Sequence, residues 1–509
     1  MTENIAALTR SLVAVNSVNG SDGGERGISF FIEEYFKSLP YFKAHPGHLF
    51  AQDLPNDSLG RRNVFALVNG GNAADGRTVI LHAHMDTVDV EDYGPLKPCA
   101  FSCDALREKL LGMKDALNDD MRKDLESGEW MFGRGSGDMK SGLAAFMTIT
   151  AELSEKADSL GVNLLFMSNP VEENLHTGVM ASLSVIRELK EKGYQFLFAV
   201  NSDCVTPLYP GDTTRYMYLG SIGKLLPCFY LLGEGDGAGR GAARLVKEVS
   251  LNPKYCDGDG SEKTMPPSVL KLRYEGSGAF VYFNYMVMQK NTDEVLTQMK
   301  EAAAIAMPEA CVYEFGEVMA LAKEKLGEQI ESDLFREASA HALSGTDKRE
   351  AGLSLVKRAV EAAGIAPPAA VAFFAAPYCP HNTLDPEAEN EAGLKAALEG
   401  VLKETEAKTG EHFRILKYFA CLTDSSYLKL DDSEKAVTAL KNNFPGMAQI
   451  YNVPLDTIRA LNIPAINIGV FMKEPHQWTE RVYTPFSFGV LPEIVKKLIE
   501  AYEEKRVNA

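Results

Sequence analysis

Short apolar runs alternate with helical segments between residues 60 and 205, and this alternation constrains the fold more than any other feature of the chain. Four runs rich in branched or aromatic residues and bounded by Gly, Asn or Pro are typical of buried strands: NVFALVNG, TVILHAHMDTV, NLLFMSNP and FLFAVNSD. Two further segments have apolar residues at helical spacing: LAAFMTITAELSEK and GVMASLSVIRELKEKG. The pattern predicts an α/β sheet with helices on both faces, in which the functional side chains lie where strands end.

The pattern changes near residue 215. GKLLPCFYLLG and SGAFVYFNYMVMQ resemble strands of an antiparallel sheet, TDEVLTQMKEAAAIA a following helix, and residues 316–366 are mainly helical. After the strand-like PAAVAFFAAPYCP the α/β pattern resumes. A chain of 509 residues that is 45% hydrophobic also exceeds the usual size of one core. We therefore predict a first domain split into residues 1–215 and 376–509, with a second domain inserted at 216–375.

The charge balance is acidic, since 52 Lys and Arg stand against 70 Asp and Glu, a net charge of −18, with no long basic run. Because phosphate binding needs clustered Lys and Arg, we expect no nucleic-acid partner. The N-terminus lacks a secretory signal and no apolar stretch reaches the ~20 residues of a membrane-spanning helix, so we expect no membrane partner. The eight cysteines form no CxxC pair, which favours reduced thiols in the cytoplasm.

Two segments place a carboxylate beside histidine or glycine. His84 and Asp86 lie two positions apart at the end of a predicted strand, where both side chains point the same way and the carboxylate can orient the imidazole. Taken alone, such a pair is more often a surface feature. The run from Gly133 to Asp138 predicts a tight turn that aims Asp138 into a cleft, although the commoner role of such an Asp is a helix N-cap. A nucleotide-phosphate loop is disfavoured because the spacing is GxGxG and no GKS or GKT follows.

Acidic residues and a second histidine follow three further predicted strands. Glu172 and Glu173 are adjacent, so one can bind a metal while the other faces the substrate, whereas a lone pair of this kind is more often a solvated turn. Asp203 follows FLFAVNSD, and His476 follows AINIGVF. Two histidines with three carboxylates are the ligands expected for paired zinc, cobalt or manganese ions. We interpret the remaining histidines as surface or core residues: those at 45, 48, 176, 341, 381 and 412.

The order and spacing of these motifs resemble those of the M20 family of metallopeptidases. HMDTV resembles the first metal motif of that family, GRGSGDMKSGLAA its bridging-aspartate motif, PVEEN its base-and-ligand pair and HQWTER its final histidine motif. PVEENLHTG, SLNPKYCD and FFAAPYCPHN resemble more specifically the arginine-utilisation, RocB-type branch. The resemblance implies an α/β fold, with a mixed-sheet zinc-hydrolase catalytic domain and an inserted, smaller α+β (ferredoxin-like) lid domain that is a frequent dimerisation surface.

The resemblance also implies a role for each candidate residue. Asp138 would bridge two divalent metal ions, zinc or alternatively cobalt or manganese. His84 and Asp203 would complete one metal site, and Glu173 and His476 the other. Glu172 would be the general base and Asp86 would orient His84. The implied reaction is hydrolysis of the amide bond of a peptide or N-acyl amino acid, linked to arginine catabolism, and the implied partners are that small substrate and a second copy of the chain bound through the lid.

One segment departs from the family pattern. The lid of the family carries a glycine followed by a histidine that helps to stabilise the reacting carbonyl, but the corresponding stretch here, Gly233–Gly239, has no histidine. Loss of such a donor typically lowers turnover by ~10²–10³. Two hypotheses follow. The chain is an active amidohydrolase in which Arg240 or Arg244 supplies the missing charge, or it is a metal-binding homologue with a trimmed lid and weak or no hydrolase activity.

Overall fold

The computed structural model describes residues 1–73 and 75–504. The helices of this part of the chain are, in order, α1 (Thr2–Ala14), α2 (Gly24–Ser38), α3 (Pro40–Ala44), α4 (Cys103–Gly112), α5 (Asp119–Ser127), α6 (Lys140–Ser154), α7 (Thr177–Glu191), α8 (Gly237–Val249), α9 (Thr292–Ala306), α10 (Phe315–Leu326), α11 (Gln329–Ser344), α12 (Lys348–Ala363), α13 (Glu389–Thr409), α14 (Glu434–Asn443), α15 (Met447–Ile450), α16 (Leu455–Leu461) and α17 (Leu491–Glu504).

The strands of the same part of the chain are, in order, β1 (Leu49–Asp53), β2 (Arg62–Val68), β3 (Arg77–His84), β4 (Trp130–Phe132), β5 (Asn163–Asn169), β6 (Gln195–Asn201), β7 (Arg215–Tyr218), β8 (Gly220–Ser221), β9 (Gly223–Leu225), β10 (Pro227–Leu232), β11 (Ser268–Glu275), β12 (Gly278–Val287), β13 (Cys311–Glu314), β14 (Ala369–Phe374), β15 (Asn382–Thr383), β16 (Phe413–Leu416), β17 (Ala465–Asn467), β18 (Met472–Lys473) and β19 (Arg481–Tyr483).

The main sheet has eight strands in the order β1-β2-β5-β3-β6-β17-β7-β16. Its centre is parallel, because β5, β3, β6 and β17 run in one direction, whereas β1 and β2 form an antiparallel edge. Parallel strands place their carboxyl ends at one edge of the sheet, where the loops can meet. The α/β fold with a mixed sheet predicted from the sequence is confirmed.

Helices cover both faces of the main sheet. Val79 and Leu81 of β3 belong to one apolar core, which they share with residues of α1, α6, α13 and α17. The intervening Ile80 belongs to the core on the opposite face, together with Val179 and Leu183 of α7. Continuous apolar runs such as β3 and β5 are therefore buried on both sides, as is usual for parallel sheets.

The second sheet has the order β11-β12-β10-β14-β13, with β9 paired to β12. Helices cover both of its faces too. Phe229 and Leu231 of β10 share a core with residues of α8 and α9, whereas Cys228 of the same strand packs with residues of α10, α11 and α12. This smaller α+β layer, separate from the main sheet, agrees with the fold that the sequence predicted.

The glycine-dense run of residues 233–241 contains the start of a regular helix, α8. A Cβ atom added at Gly241 would lie only 2.4 Å from the Met307 Sδ atom, so the absence of a side chain lets α8 approach the end of α9. Gly241 therefore serves close packing of two helices in the second layer.

The chain crosses between the two sheets later than residue 215. β7 still belongs to the main sheet, because it pairs in parallel with β16. The crossing therefore follows Tyr218, and the return begins after β14 ends at Phe374, with β15 pairing to β8. Among the helices described, none has both the length and the apolar character needed to cross a bilayer.

Candidate metal centre

Three neighbouring parallel strands bring most of the predicted site residues to one edge of the main sheet. β5, β3 and β6 lie side by side in that order. His84 is the last residue of β3, Glu172 and Glu173 follow β5, and Asp203 follows β6. Because parallel strands end at the same edge, residues more than 100 positions apart in sequence converge there.

Another candidate, Asp138, comes from the turn between β4 and α6. Gly133 and Gly135 have φ values of 150° and 78°, which favour glycine, so the predicted tight turn is present. The N-cap of α6 is Met139, and the Asp138 carboxylate instead lies beside two imidazoles. The interpretation of Asp138 as a helix cap is therefore wrong, because the turn directs its side chain into the cleft.

Each oxygen of Asp138 faces a different histidine. Oδ1 lies 3.1 Å from Nε2 of His84, and Oδ2 lies 3.2 Å from Nε2 of His476. His476 Nε2 is also 3.0 Å from Oε2 of Glu173. His84, Asp138 and Asp203 offer ligand atoms within 4.8 Å of one another, as do Asp138, Glu173 and His476. Asp138 is therefore shared between two triads, and all five predicted ligands come together.

A third triad within the same 4.8 Å limit consists of His84, Glu172 and Glu173. Glu172 is thus close enough to the other side chains to act on a molecule held there. Its Oε2 atom lies 4.0 Å from Nε2 of His84.

Asp86 contacts both the Glu172–Glu173 segment and the ring of His84. Its carboxylate accepts hydrogen bonds from the backbone N–H groups of Glu172 at 3.2 Å and Glu173 at 3.1 Å. Nδ1 of His84 donates to the Asp86 backbone carbonyl at 3.1 Å and lies 3.6 Å from the carboxylate, which leaves Nε2 facing the cluster. β3 ends at His84, so Asp86 meets the imidazole from the following loop and not by the strand alternation that the sequence suggested.

Two buried glutamates that we did not single out from the sequence bind the backbone of the segments that carry the site residues. Glu480 accepts from the backbone N–H groups of Gly137 at 3.0 Å and Asp138 at 3.1 Å, and pairs with Arg134 at 2.8 Å. Glu25 accepts from the Val171 N–H at 3.0 Å. Glu480 lies within the HQWTER motif, which was a usable signal, whereas Glu25 follows an ordinary glycine-rich turn and gave none.

Burial and nearby charged groups shift the pKa values of several side chains in the cluster. Burial, followed by the nearby Asp138 carboxylate, raises the pKa of Asp203 to about 7. Burial also raises the pKa of Glu172 well above its usual range. Hydrogen bonds with Asp138 and then Glu173 raise the pKa of His476 to about 11. Buried carboxylates this close repel one another unless cations lie among them, so the donor set fits two divalent metal ions.

The loop from Thr423 to Ser426 lies directly against the segments that carry the site. The Nδ2 group of Asn201, the last residue of β6, donates to Oγ1 of Thr423 at 2.6 Å. Asp424 contacts His176 at 3.0 Å, and Ser425 contacts His82 at 3.1 Å. The loop is buried and connects three segments that carry the site.

The chain matches a known protein family over most of its length. The model of Peptidase family M20/M25/M40 matches residues 80–431. Protein RocB of Bacillus subtilis (strain 168) is 36% identical over 98% of this chain and 96% of its own, and protein YqjN of the same organism is 29% identical over 100% and 98%.

Solved structures share the fold. Aminopeptidase PepT from Bacillus cereus has a TM-score of 0.54 at 13% identity and covers 98% of both chains. YxeP of Bacillus subtilis, described as a dinuclear metal-binding peptidase of the M20 family, has a TM-score of 0.50 at 12% identity, covering 99% of this chain and 98% of its own.

Proposed function

The chain belongs to peptidase family M20/M25/M40, and we propose that it is a dinuclear metal-dependent hydrolase that cleaves the amide bond of a peptide or N-acyl amino acid. The observation that carries this proposal is the position of Asp138 between two histidines, with one oxygen facing each. A carboxylate so placed suits a bridging ligand.

The proposed division of ligands follows the two triads that share Asp138. His84 and Asp203 would hold one ion, and Glu173 and His476 the other. We propose zinc as the metal. Cobalt and manganese are the alternatives, because nitrogen and oxygen ligands bind all three metals. When bound, such ions polarise a carbonyl group and lower the pKa of water.

Glu172 is the proposed general base. Its carboxylate takes a proton from the attacking water and later delivers one to the nitrogen of the leaving amine. A C–O bond forms, the C–N bond breaks, and the products are a carboxylic acid and an amine. Asp86 supports this step by fixing the backbone of Glu172 and the ring of His84.

We also propose a place for this reaction in arginine catabolism and in the cytoplasm. The first proposal is supported by the motifs shared with the arginine-utilisation branch and by the identity to RocB. The second is supported by the cysteines, all eight of which are free.

The second layer is the proposed lid, spanning the inserted region predicted at residues 216–375, and we propose that it joins two copies of the chain. β11 lies at the edge of its sheet, with no further strand beside it among the described residues. Alternate residues of β11 expose apolar side chains: Leu270 is 52% exposed, Leu272 38% and Tyr274 57%. Exposed apolar edge strands favour pairing with another chain, and a two-fold dimer would cover both edges together.

The function is tested by loading the purified protein with zinc, cobalt or manganese and assaying a panel of N-acyl amino acids and dipeptides. We expect turnover of at least one substrate and a loss of ~10²–10⁴ in kcat for Glu172→Gln, without loss of metal. Glu391→Gln is the matched control, because Glu391 is also buried and paired, with Lys429, but belongs to none of the candidate metal-ligand triads of the described residues.

Metal binding without turnover of any substrate would instead favour the metal-binding homologue, since the lid segment Gly233–Gly239 contains no histidine. Failure to bind any of the three metals would contradict both the hydrolase proposal and the alternative of a metal-binding homologue.

A further inference from the structure

His176 occupies an unusual place between the Glu172–Glu173 turn and α7. Its backbone has a φ of 55°, in the left-handed region that side-chain-bearing residues seldom adopt, and its N–H donates to the Val171 carbonyl at 2.8 Å. The residue is only 2% exposed. Strained backbone of this kind is often found at functional sites, which prompts the question of what the imidazole contacts.

The ring of His176 lies between two carboxyl groups. Its Nδ1 atom is 3.0 Å from Oδ1 of Asp424 and 3.9 Å from Oε1 of Glu172. An ionised carboxylate can only accept, so Nδ1 carries the hydrogen and donates to Asp424. The ring also packs against Tyr427 at a centroid distance of 5.2 Å, and the Tyr427 hydroxyl donates to the Tyr378 carbonyl at 2.8 Å. Asp424 and Tyr427 therefore fix the ring.

Asp424 has little other use within the fold. Its second oxygen, Oδ2, is buried and has no hydrogen-bond partner among residues 1–73 and 75–504. A buried carboxylate with one unpaired oxygen is costly, so stability alone does not account for it. The contact it makes with His176 is the feature that gives it a role.

The side chain of Glu172 is held by few groups. Within the described part of the chain its carboxylate accepts no hydrogen bond that fixes its torsions, and two imidazoles lie near it, one facing each oxygen. Oε1 faces His176 at 3.9 Å, and Oε2 faces His84 at 4.0 Å. A glutamate has three side-chain torsions, so without such neighbours the carboxylate would sample positions from which it could not reach the reacting atoms.

We propose that His176, fixed by Asp424, is a positioning residue that holds the Glu172 carboxyl group in its working orientation. The inference rests on the proposed role of Glu172 as the general base. His176 belongs to none of the three candidate metal-ligand triads found among the described residues, so it acts through Glu172.

The kinetic test compares His176→Gln in the wild type and in the Glu172→Gln background. In the wild type we expect kcat to fall by about 10–100-fold, since misplacing a reacting group by about 1 Å has effects of this size. KM should stay within about twofold and metal content should not change. In the Glu172→Gln background the same substitution should cost little more, because the group it positions is already gone. Equal losses in both backgrounds would overturn the proposal.

His82→Gln is the matched control. His82 is also a fully buried histidine and contacts Ser425, next to Asp424, but it does not touch Glu172. If His176 only stiffened this loop, His82→Gln would lower kcat as much, and the proposal would be wrong. Asp424→Asn should act in the same direction as His176→Gln.

A spectroscopic test works without turnover and so separates failure of this inference from failure of the proposed function. In protein labelled with ¹⁵N-histidine, the His176 Nδ1–H resonance is assigned by its loss in His176→Gln. We expect it to shift in Glu172→Gln and to stay unchanged in Glu391→Gln. An unchanged resonance in Glu172→Gln would overturn the proposal even if the enzyme is active.

Discussion

Asp138 differs from the other candidate ligands because it lies within 3.2 Å of both histidines. The two imidazoles lie on opposite oxygens, at 3.1 and 3.2 Å. His84 is buried and its Nδ1 is occupied by the Asp86 carbonyl, whereas the His476 side chain is 48% exposed at the rim of the cluster. His476 is therefore the most exposed of the five candidate ligands.

His476 also makes metal binding depend on pH. Hydrogen bonds with Asp138 and Glu173 raise its pKa to about 11, so at pH 7 it is protonated in the metal-free protein and must lose that proton to act as a ligand. Asp203, with a pKa of about 7, is partly protonated there as well. Metal affinity should therefore increase as the pH rises from about 6 toward about 11.

Calorimetry in buffers of different ionisation enthalpy measures this proton release directly. We expect zinc binding at pH 7 to release protons, and His476→Ala to release fewer. Binding enthalpies that do not depend on the buffer would contradict this account of the rim histidine.

At the scale of elements, the turn before α6 depends on a carboxylate from the far end of the chain. Glu480 binds the N–H groups of Gly137 and Asp138 and pairs with the buried Arg134. Since β19 begins immediately after Glu480, the segment that carries His476 and the turn that carries Asp138 are fixed to each other.

We expect Glu480→Ala to lower zinc affinity by about 10–100-fold, a typical effect of removing a group that orients a ligand. Competition with a chelator measures it. Asp124→Asn is the control, since the buried Asp124 pairs with the adjacent Arg481 at 2.7 Å but does not touch the Asp138 turn. Equal losses of zinc affinity in the two variants would mean that the affinity depends on the general stability of this segment and not on the hydrogen bonds from Glu480 to the Asp138 turn.

The elements with strong local patterns were predictable. β3, β5 and β6 are continuous apolar runs bounded by polar or turn residues, and the acids and histidine at their ends mark the open edge of a parallel sheet. The role of His176 was not predictable, because it depends on Asp424, a partner more than 240 positions away, and on burial that no local pattern reports. Glu480 lies within the HQWTER motif, but its bonds to the distant Asp138 turn could be found only from the structure. The packing role of Gly241 within α8 was also not predictable, since it depends on the distant Met307.

At the scale of the whole molecule, helices cover both faces of the second sheet around β10, whereas the edge strand β11 keeps exposed apolar side chains. α8 and α9 cover one face and α10 to α12 cover the other, while Lys271 and Arg273 of β11 bind Glu350 of α12. The exposed residues of β11 therefore lie on the side away from this ionic contact.

We expect the protein to sediment as a dimer and Tyr274→Arg to sediment as a monomer, because a buried charge would oppose pairing at this edge. Phe335→Arg on α11 is the control, since Phe335 is equally exposed at 57% but lies on a different element. Dissociation by both variants, or a wild type that is already monomeric, would rule out the β11 edge as the interface.

The claim on which the whole account depends is that five distant side chains form one site for two ions with Asp138 between them. Anomalous diffraction from crystals of the zinc-loaded protein tests it most directly. We expect two anomalous peaks, one beside His84 and Asp203 and one beside Glu173 and His476, with Asp138 contacting both. A single peak in the cluster, or zinc bound only elsewhere, would contradict the account.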